Sequence, residues 1–130
     1  FLKDEPLAEL SSVCTKDVVV QLQRTCREVY IHPDLLKYLV KVVQATRKHA
    51  SIVNGVSPRG TLAFVRSAQA YALVCGREYV VPEDVKAVAV PVLAHRLAVS
   101  ASYDVTKAAR QAIADILCTV ELPTENWTGR

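Results

Sequence analysis

The sequence predicts a fold that is mainly all-α, a bundle of five helices with room for a minimal two-stranded sheet, and three observations predict it. Only four glycines, at 55, 60, 76 and 129, punctuate 130 residues, and the stretches between them are rich in Ala, Leu, Val, Lys and Gln, which favours helices over strands and turns. Apolar residues recur at spacings of three and four in five separate segments. Each segment also opens on residues suited to start a helix: Thr15, Pro33, Ser57 with Pro58, Pro82, and Asp104. With 51% apolar residues the chain has enough for one domain with its own core, and it lacks the charge blocks of disorder.

Taken in order, Thr15 caps a first helix of about a dozen residues, with Val18, Val19, Leu22, Cys26 and Val29 as its apolar stripe. Val29-Tyr30-Ile31 reads as extended. Pro33 opens the second helix, where Leu36, Val40 and Val43 share one face with Leu35 and Leu39 alongside; Arg47 continues that series and is expected on the buried side. The third helix runs from Pro58 to about Cys75, with Gly76 as its stop. Leu62, Phe64, Val65, Tyr71, Leu73 and Val74 spread over all its sides, which predicts a central helix surrounded by others. Residues 79–81 form a second extended piece, a pairing partner for 29–31. Pro82 starts the fourth helix, with Glu83 and Asp84 near its positive end and Val85, Val88 and Val92 buried; Pro91 should kink or restart it, and Arg96 falls on the same apolar series. The last helix spans Asp104 to Val120 with Val105, Ala109, Ile113, Ile116 and Val120 on its docking stripe. The division expected is residues 1–14 as an extended linker, 15–122 as the helical domain and 123–130 as a loose tail. The chain has no methionine and begins at Phe1, so it reads as a piece of a longer protein.

Composition narrows the function. Sixteen basic against 13 acidic residues give a net charge of +3 without a Lys/Arg cluster, too mild a bias for a nucleic-acid binder. Cys14, Cys26, Cys75 and Cys118 lie far apart with no C-x-x-C pair, so no metal site is expected and four free thiols fit a reducing, cytoplasmic setting. No apolar run approaches the roughly 20 residues of a membrane span.

The chemistry concentrates in Asn54-Gly55-Val56-Ser57-Pro58-Arg59-Gly60. Ser57 is a good N-cap, Pro58 suits the first helical position because it has no N–H to lose, and Arg59 stands at the mouth of the helix. Backbone N–H groups, the positive end of the helix dipole and a fork-shaped cation thus face one point, which is how a protein holds a phosphate oxygen; the alternative is a capped helix with a surface arginine. Arg66, seven residues on, shares that face to within about 20 degrees, and the helix supplies neither arginine with an acid. Arg66 has two readings, lining a nucleotide cleft or subunit seam, or pairing structurally with a carboxylate of another helix. Arg47 and Arg96 read as structural, satisfying loop carbonyls or helix C-termini with their five donors, and His95 as a core or hinge residue.

Six collinear segments carry a family resemblance: Asp4-Glu5-Pro6-Leu7, Ala45-Thr46-Arg47, Gly55-Val56-Ser57-Pro58-Arg59, Gly76-Arg77-Glu78-Tyr79-Val80, Pro82-Glu83-Asp84-Val85-Lys86 and Val92-Leu93-Ala94-His95-Arg96-Leu97. In order and spacing the chain resembles, over residues 4 to 122, the C-terminal lid of MoxR-type AAA+ ATPases. The resemblance implies that the five helices form an AAA+ lid bundle and that Arg59 is the sensor 2 arginine, reaching the γ-phosphate of ATP held with Mg²⁺ in an upstream core. Ser57, Pro58 and Arg66 are the accompanying candidates for cofactor binding and Arg59 the catalytic one; the fragment alone, lacking any G-x-x-x-x-G-K-[ST], should neither hydrolyse ATP nor bind it tightly. The implied partners are that core, neighbouring subunits of a homo-oligomeric ring, a hexamer, and client proteins remodelled or assembled by a chaperone activity, with von Willebrand factor A-type domains as one candidate class. Three departures from the family pattern are expected to weaken local structure. Gly60 stands where alanine is usual, loosening the first turn by up to about 1 kcal/mol. His32 and Val81 replace small polar caps. The rival reading is a helical protein-protein interaction module with no nucleotide role.

Overall fold

The computed structural model describes residues 10–100, 103–124 and 127. Five helices carry the fold: α1 (Lys16–Glu28), α2 (Pro33–Thr46), α3 (Pro58–Val74), α4 (Pro82–Leu93) and α5 (Val105–Thr119), with a 3-10 turn at Ala94–Arg96. Two short strands, β1 (Ile52–Asn54) and β2 (Ala98–Val99), pair antiparallel with a register shift between Ile52 and Asn54. The 29–31 and 79–81 segments meet as a single parallel bridge, Tyr30 with Tyr79, in which Tyr30 N–H donates to Glu78 O at 2.8 Å and Val80 N–H to Tyr30 O at 2.9 Å. The β1–β2 sheet was not foreseen, because two- and three-residue strands leave no alternating pattern to read. The Asp4–Leu7 segment and most of the expected linker lie outside the described residues.

The helix starts follow their capping chemistry. Thr15 Oγ1 accepts from Val18 N–H, Ser57 Oγ from Gly60 N–H at 3.2 Å and Asp104 Oδ1 from Lys107 N–H at 2.9 Å. The two starts expected to be weak are supported by other means. His32 Nδ1 accepts from Asp34 N–H at 3.3 Å. At α4, Asp84 in the first turn reaches back and accepts from Val81 N–H at 2.8 Å, half of a capping box that needs nothing from the valine side chain. Gly76, at φ 75°, ends α3 with Gly76 N–H bonded to Leu73 O and Arg77 N–H to Ala72 O, the two bonds of a Schellman motif.

The core lies between α2, α3, α4 and α5, where Leu35, Tyr38, Leu39, Val42, Phe64, Val85, Leu93 and Ile113 are fully buried. Three sequence expectations shift here. On α2 the buried series is 35, 38, 39, 42, 43 and 46, about a third of a turn from the series expected, so Leu36 and Val40 stay partly exposed and Arg47, which follows them, is exposed at the helix C-cap. On α4 the buried set is Pro82, Asp84, Val85, Val88, Ala89 and Leu93; α4 continues through Pro91, and His95 and Arg96 are exposed, which removes His95 from the core. The third shift is α3, which buries only Gly60, Phe64, Ala68 and Ala72 on one side, against α4 and α2. Its other side is not enclosed: Leu62 is 59% and Val74 85% exposed. α1, which leans on that side, has no buried residue. Two apolar helix faces therefore remain open together. At the other end, Trp127 in the expected loose tail packs against the core, its ring 5.7 Å from that of His32 in an edge arrangement.

Candidate functional site: the mouth of α3

Arg59 is exposed at the second position of α3, and among the described residues its guanidinium enters no ion pair or hydrogen bond. The first turn is already largely satisfied. Pro58 has no N–H, Gly60 N–H is held by Ser57 Oγ, and Thr61 N–H bonds to Ser57 O at 3.0 Å. What remains at the mouth is the backbone N–H of Arg59 and of the N-cap Ser57, and one unpaired cation. The cup of several N–H groups expected from the sequence is thus reduced to a few amides beside a guanidinium, a half-site for an anion oxygen held by something else.

Arg66 sits two turns along α3, about 10 Å from Arg59 at 1.5 Å per residue. It is exposed and lines a groove of about 580 Å³ between α1 and α3 with Val19, Leu22, Cys26, Leu73 and Val74. The structure therefore separates the two arginines: Arg59 at the helix mouth, Arg66 beside an apolar groove.

The loop before Ser57 is fixed by Thr46 and Arg47, two residues of the Ala45-Thr46-Arg47 segment. Thr46, fully buried at the end of α2, donates through Oγ1 to Val43 O at 2.6 Å and accepts from Val56 N–H at 3.1 Å. Arg47 Nη2 donates to Val56 O at 3.2 Å. Both peptide groups of Val56 are held by consecutive residues of α2, and Val56 itself is 1% exposed. Two glycines make the approach close enough. A Cβ on Gly55 would lie 2.7 Å from Arg47 Cγ and 2.9 Å from Thr46 Oγ1, and one on Gly60 would lie 2.7 Å from Val56 Cγ1. Gly60 is thus not a loose point in the helix. It gives up intrinsic propensity so that the Val56 side chain can lie against the first turn.

The hydrogen bonds of Arg47 and Arg96 agree with a structural reading, but both side chains lie at the surface and not inside the bundle. Arg47 serves the loop carbonyl of Val56, and Arg96 Nε donates to Val92 O at 3.1 Å, an α4 carbonyl near the helix end. His95 Nδ1 lies 3.1 Å from Pro91 O one turn back. The buried ion pair of the domain is elsewhere. Arg77 grips Asp84 with two hydrogen bonds, Nη1 to Oδ2 at 2.7 Å and Nη2 to Oδ1 at 2.5 Å, and also donates to Tyr79 O at 3.2 Å. The bonds to Asp84 hold the guanidinium protonated well beyond its already high range. Asp84, 1% exposed, thereby joins Arg77, the carbonyl of the parallel bridge and the start of α4. In the sequence it stood out as an acid at a helix start, within the Pro82-Glu83-Asp84-Val85-Lys86 segment, but its pairing with Arg77 did not. Among the described residues no group of three or more His, Cys, Asp or Glu is placed to hold a metal ion, and no helix is long and apolar enough to cross a membrane.

Five helices with a short two-stranded sheet are consistent with a lid-type helical bundle. The profile of the AAA lid domain matches residues 44–116, and the chain belongs to that family. Within it the chain is of the MoxR type. It is 36% identical over 129 residues to an uncharacterized protein, YeaC, of Bacillus subtilis, covering 98% of this chain and 40% of that protein. To the chaperone MoxR1 of Mycobacterium tuberculosis it is 34% identical over 118 residues, 83% of this chain and 31% of the relative. A crystal structure of a candidate ATPase from Cytophaga hutchinsonii superposes with a TM-score of 0.76 at 29% identity, covering 88% of this chain and 38% of that one. The chain thus spans two fifths or less of the length of these relatives.

Proposed function

We propose that this chain is the lid of a ring-forming ATPase, that Arg59 contacts the γ-phosphate of ATP bound with Mg²⁺ in a preceding core, and that residues up to Cys14 serve as the link to that core. One observation carries the reading: the exposed, unpaired guanidinium of Arg59 at the mouth of α3, beside backbone donors left free there, suits an oxygen of an anion that is held elsewhere. Bound ATP supplies the phosphoryl group and the charge that develops on it. Arg59 neutralises part of that charge through a fixed cation, while Ser57 and Pro58 hold the helix mouth in place. Loss of the γ-phosphate removes the partner of Arg59 and frees the lid to move relative to the core, which couples hydrolysis to motion between subunits. A hexameric ring in the cytoplasm acting on client proteins, including those with von Willebrand factor A-type domains, completes the proposal; the name of the mycobacterial relative, a chaperone, supports the action on client proteins.

The open faces of α1 and α3 favour a second reading, an interaction module without a nucleotide role, since Leu22, Leu62 and Val74 are all more than half exposed. ATP turnover of the full-length protein separates the two. Arg59→Ala is expected to slow it by 10- to 1,000-fold, the usual effect of removing one preorganised donor. A change below tenfold with folding intact overturns the nucleotide reading and leaves the interaction module.

A further inference from the structure

We infer that Thr46 and Arg47 are positioning residues for Arg59: as a clamp on Val56 they hold the mouth of α3 at a set place relative to α2. The inference rests on the reading of Arg59 above. The geometry is a chain of short links. Thr46 Oγ1 takes the Val56 N–H at 3.1 Å, Arg47 Nη2 gives to the Val56 carbonyl at 3.2 Å, and the Val56 side chain fills the space that a Cβ on Gly60 would need. Ser57 follows directly and caps Gly60. From α2 to the start of α3 the backbone is thus held at each step: Val56 by two hydrogen bonds and close packing, Ser57 by its cap to Gly60, and Pro58 by its ring.

The two halves of the clamp differ in character. The Thr46 hydroxyl is fully buried and both gives and accepts, so its loss strands the Val56 amide without water to replace it. Arg47 lies at the surface, yet its guanidinium is spent on a carbonyl of its own chain, which fixes the loop from the solvent side. A catalytic cation displaced by 1 Å costs on the order of 100-fold in rate, so even partial slackening of this loop should be visible in turnover.

The test uses the full-length ATPase, with Thr46→Val, Thr46→Ser and Arg47→Ala made singly and each combined with Arg59→Ala. Turnover at saturating ATP and amide exchange at Val56 and Gly60 are read together. The proposal expects Thr46→Val and Arg47→Ala each to slow turnover about tenfold when Arg59 is present, and less than twofold when Arg59 is already alanine. Thr46→Ser, which restores the hydroxyl, should stay within twofold of wild type, and the Val56 amide should exchange at least tenfold faster in Thr46→Val. Should Thr46→Val fail to fold, Arg47→Ala, a change at an exposed side chain, decides alone. If Arg59→Ala slows the enzyme but the clamp variants do not, or slow it equally without Arg59, the clamp is refuted and the reading of Arg59 stands. If Arg59→Ala itself has no effect, that reading fails and the clamp inference falls with it.

Discussion

Gly60→Ala separates intrinsic propensity from packing, because the two predict opposite signs. In an exposed helix interior the change would stabilise by up to about 1 kcal/mol. Here the new methyl carbon would lie 2.7 Å from Val56 Cγ1, against an ordinary contact of at least 3.4 Å, and 3.4 Å from Arg96 Cδ. Val56 is buried and β-branched, so its methyl cannot swing away as the end of a long side chain would. Forcing extra volume into such a site costs about 1–3 kcal/mol, and the balance is a net loss of about 0–2 kcal/mol. Thermal unfolding of the chain should show this as a fall in Tm of up to about 6 °C, at roughly 3 °C per kcal/mol for a domain of this size. The companion variant Val56→Ala opens a cavity and loses about 1–3 kcal/mol. In the double variant the alanine methyl occupies the vacated space, so the combined loss should be at least 1 kcal/mol smaller than the sum. A Tm that rises with Gly60→Ala alone, or strict additivity in the pair, would refute the packing account.

Arg77→Ala leaves the Asp84 carboxylate buried without its bidentate partner and should destabilise by about 3–5 kcal/mol in urea titration; Arg77→Ala with Asp84→Asn should lose less than the two singles combined. Tyr38→Phe removes a buried hydroxyl that has no hydrogen-bond partner among the described residues, so the urea midpoint should hold or rise, by up to about 1 kcal/mol in free energy. Asp34 is held below the ordinary carboxylate range by its hydrogen bond to Lys37 Nζ at 2.7 Å. A depressed folded value stabilises above the unfolded value, near 4, and the benefit disappears as pH falls through the folded one; the stability gap between wild type and Asp34→Asn should be present at pH 6 and narrow as pH falls below about 4.

Helix starts were the most legible part of the fold, because proline and short polar residues act on the few bonds next to them. Ser57, Pro58 and Arg59 could be placed at the mouth of α3 for that reason, and Gly76 at its end. What could not be read was set by distant contacts. Thr46 is a polar residue in a helical stripe, and only the arrival of Val56, ten positions on, makes its burial favourable. Arg77 and Asp84 were visible as separate charges, but their pairing depends on the turn between α3 and α4. The reading of α3 as enclosed on all sides failed for a related reason. Apolar residues around a whole helix show that contacts are wanted, not that this chain supplies them, and the unmatched faces of α1 and α3 are where another domain or subunit would supply the rest. The sequence also placed the buried face of α2 about a third of a turn away, since leucine and valine occur on both of its sides.

The ring contact at the start of α2 gives the domain a built-in optical reporter. Trp127 is the chain's only tryptophan, and its indole sits edge to face with His32, the residue that caps α2. Its emission therefore tracks the seating of Trp127 at the start of the same helix whose far end carries Thr46 and Arg47, with no label attached and no second fluorophore of that kind to subtract.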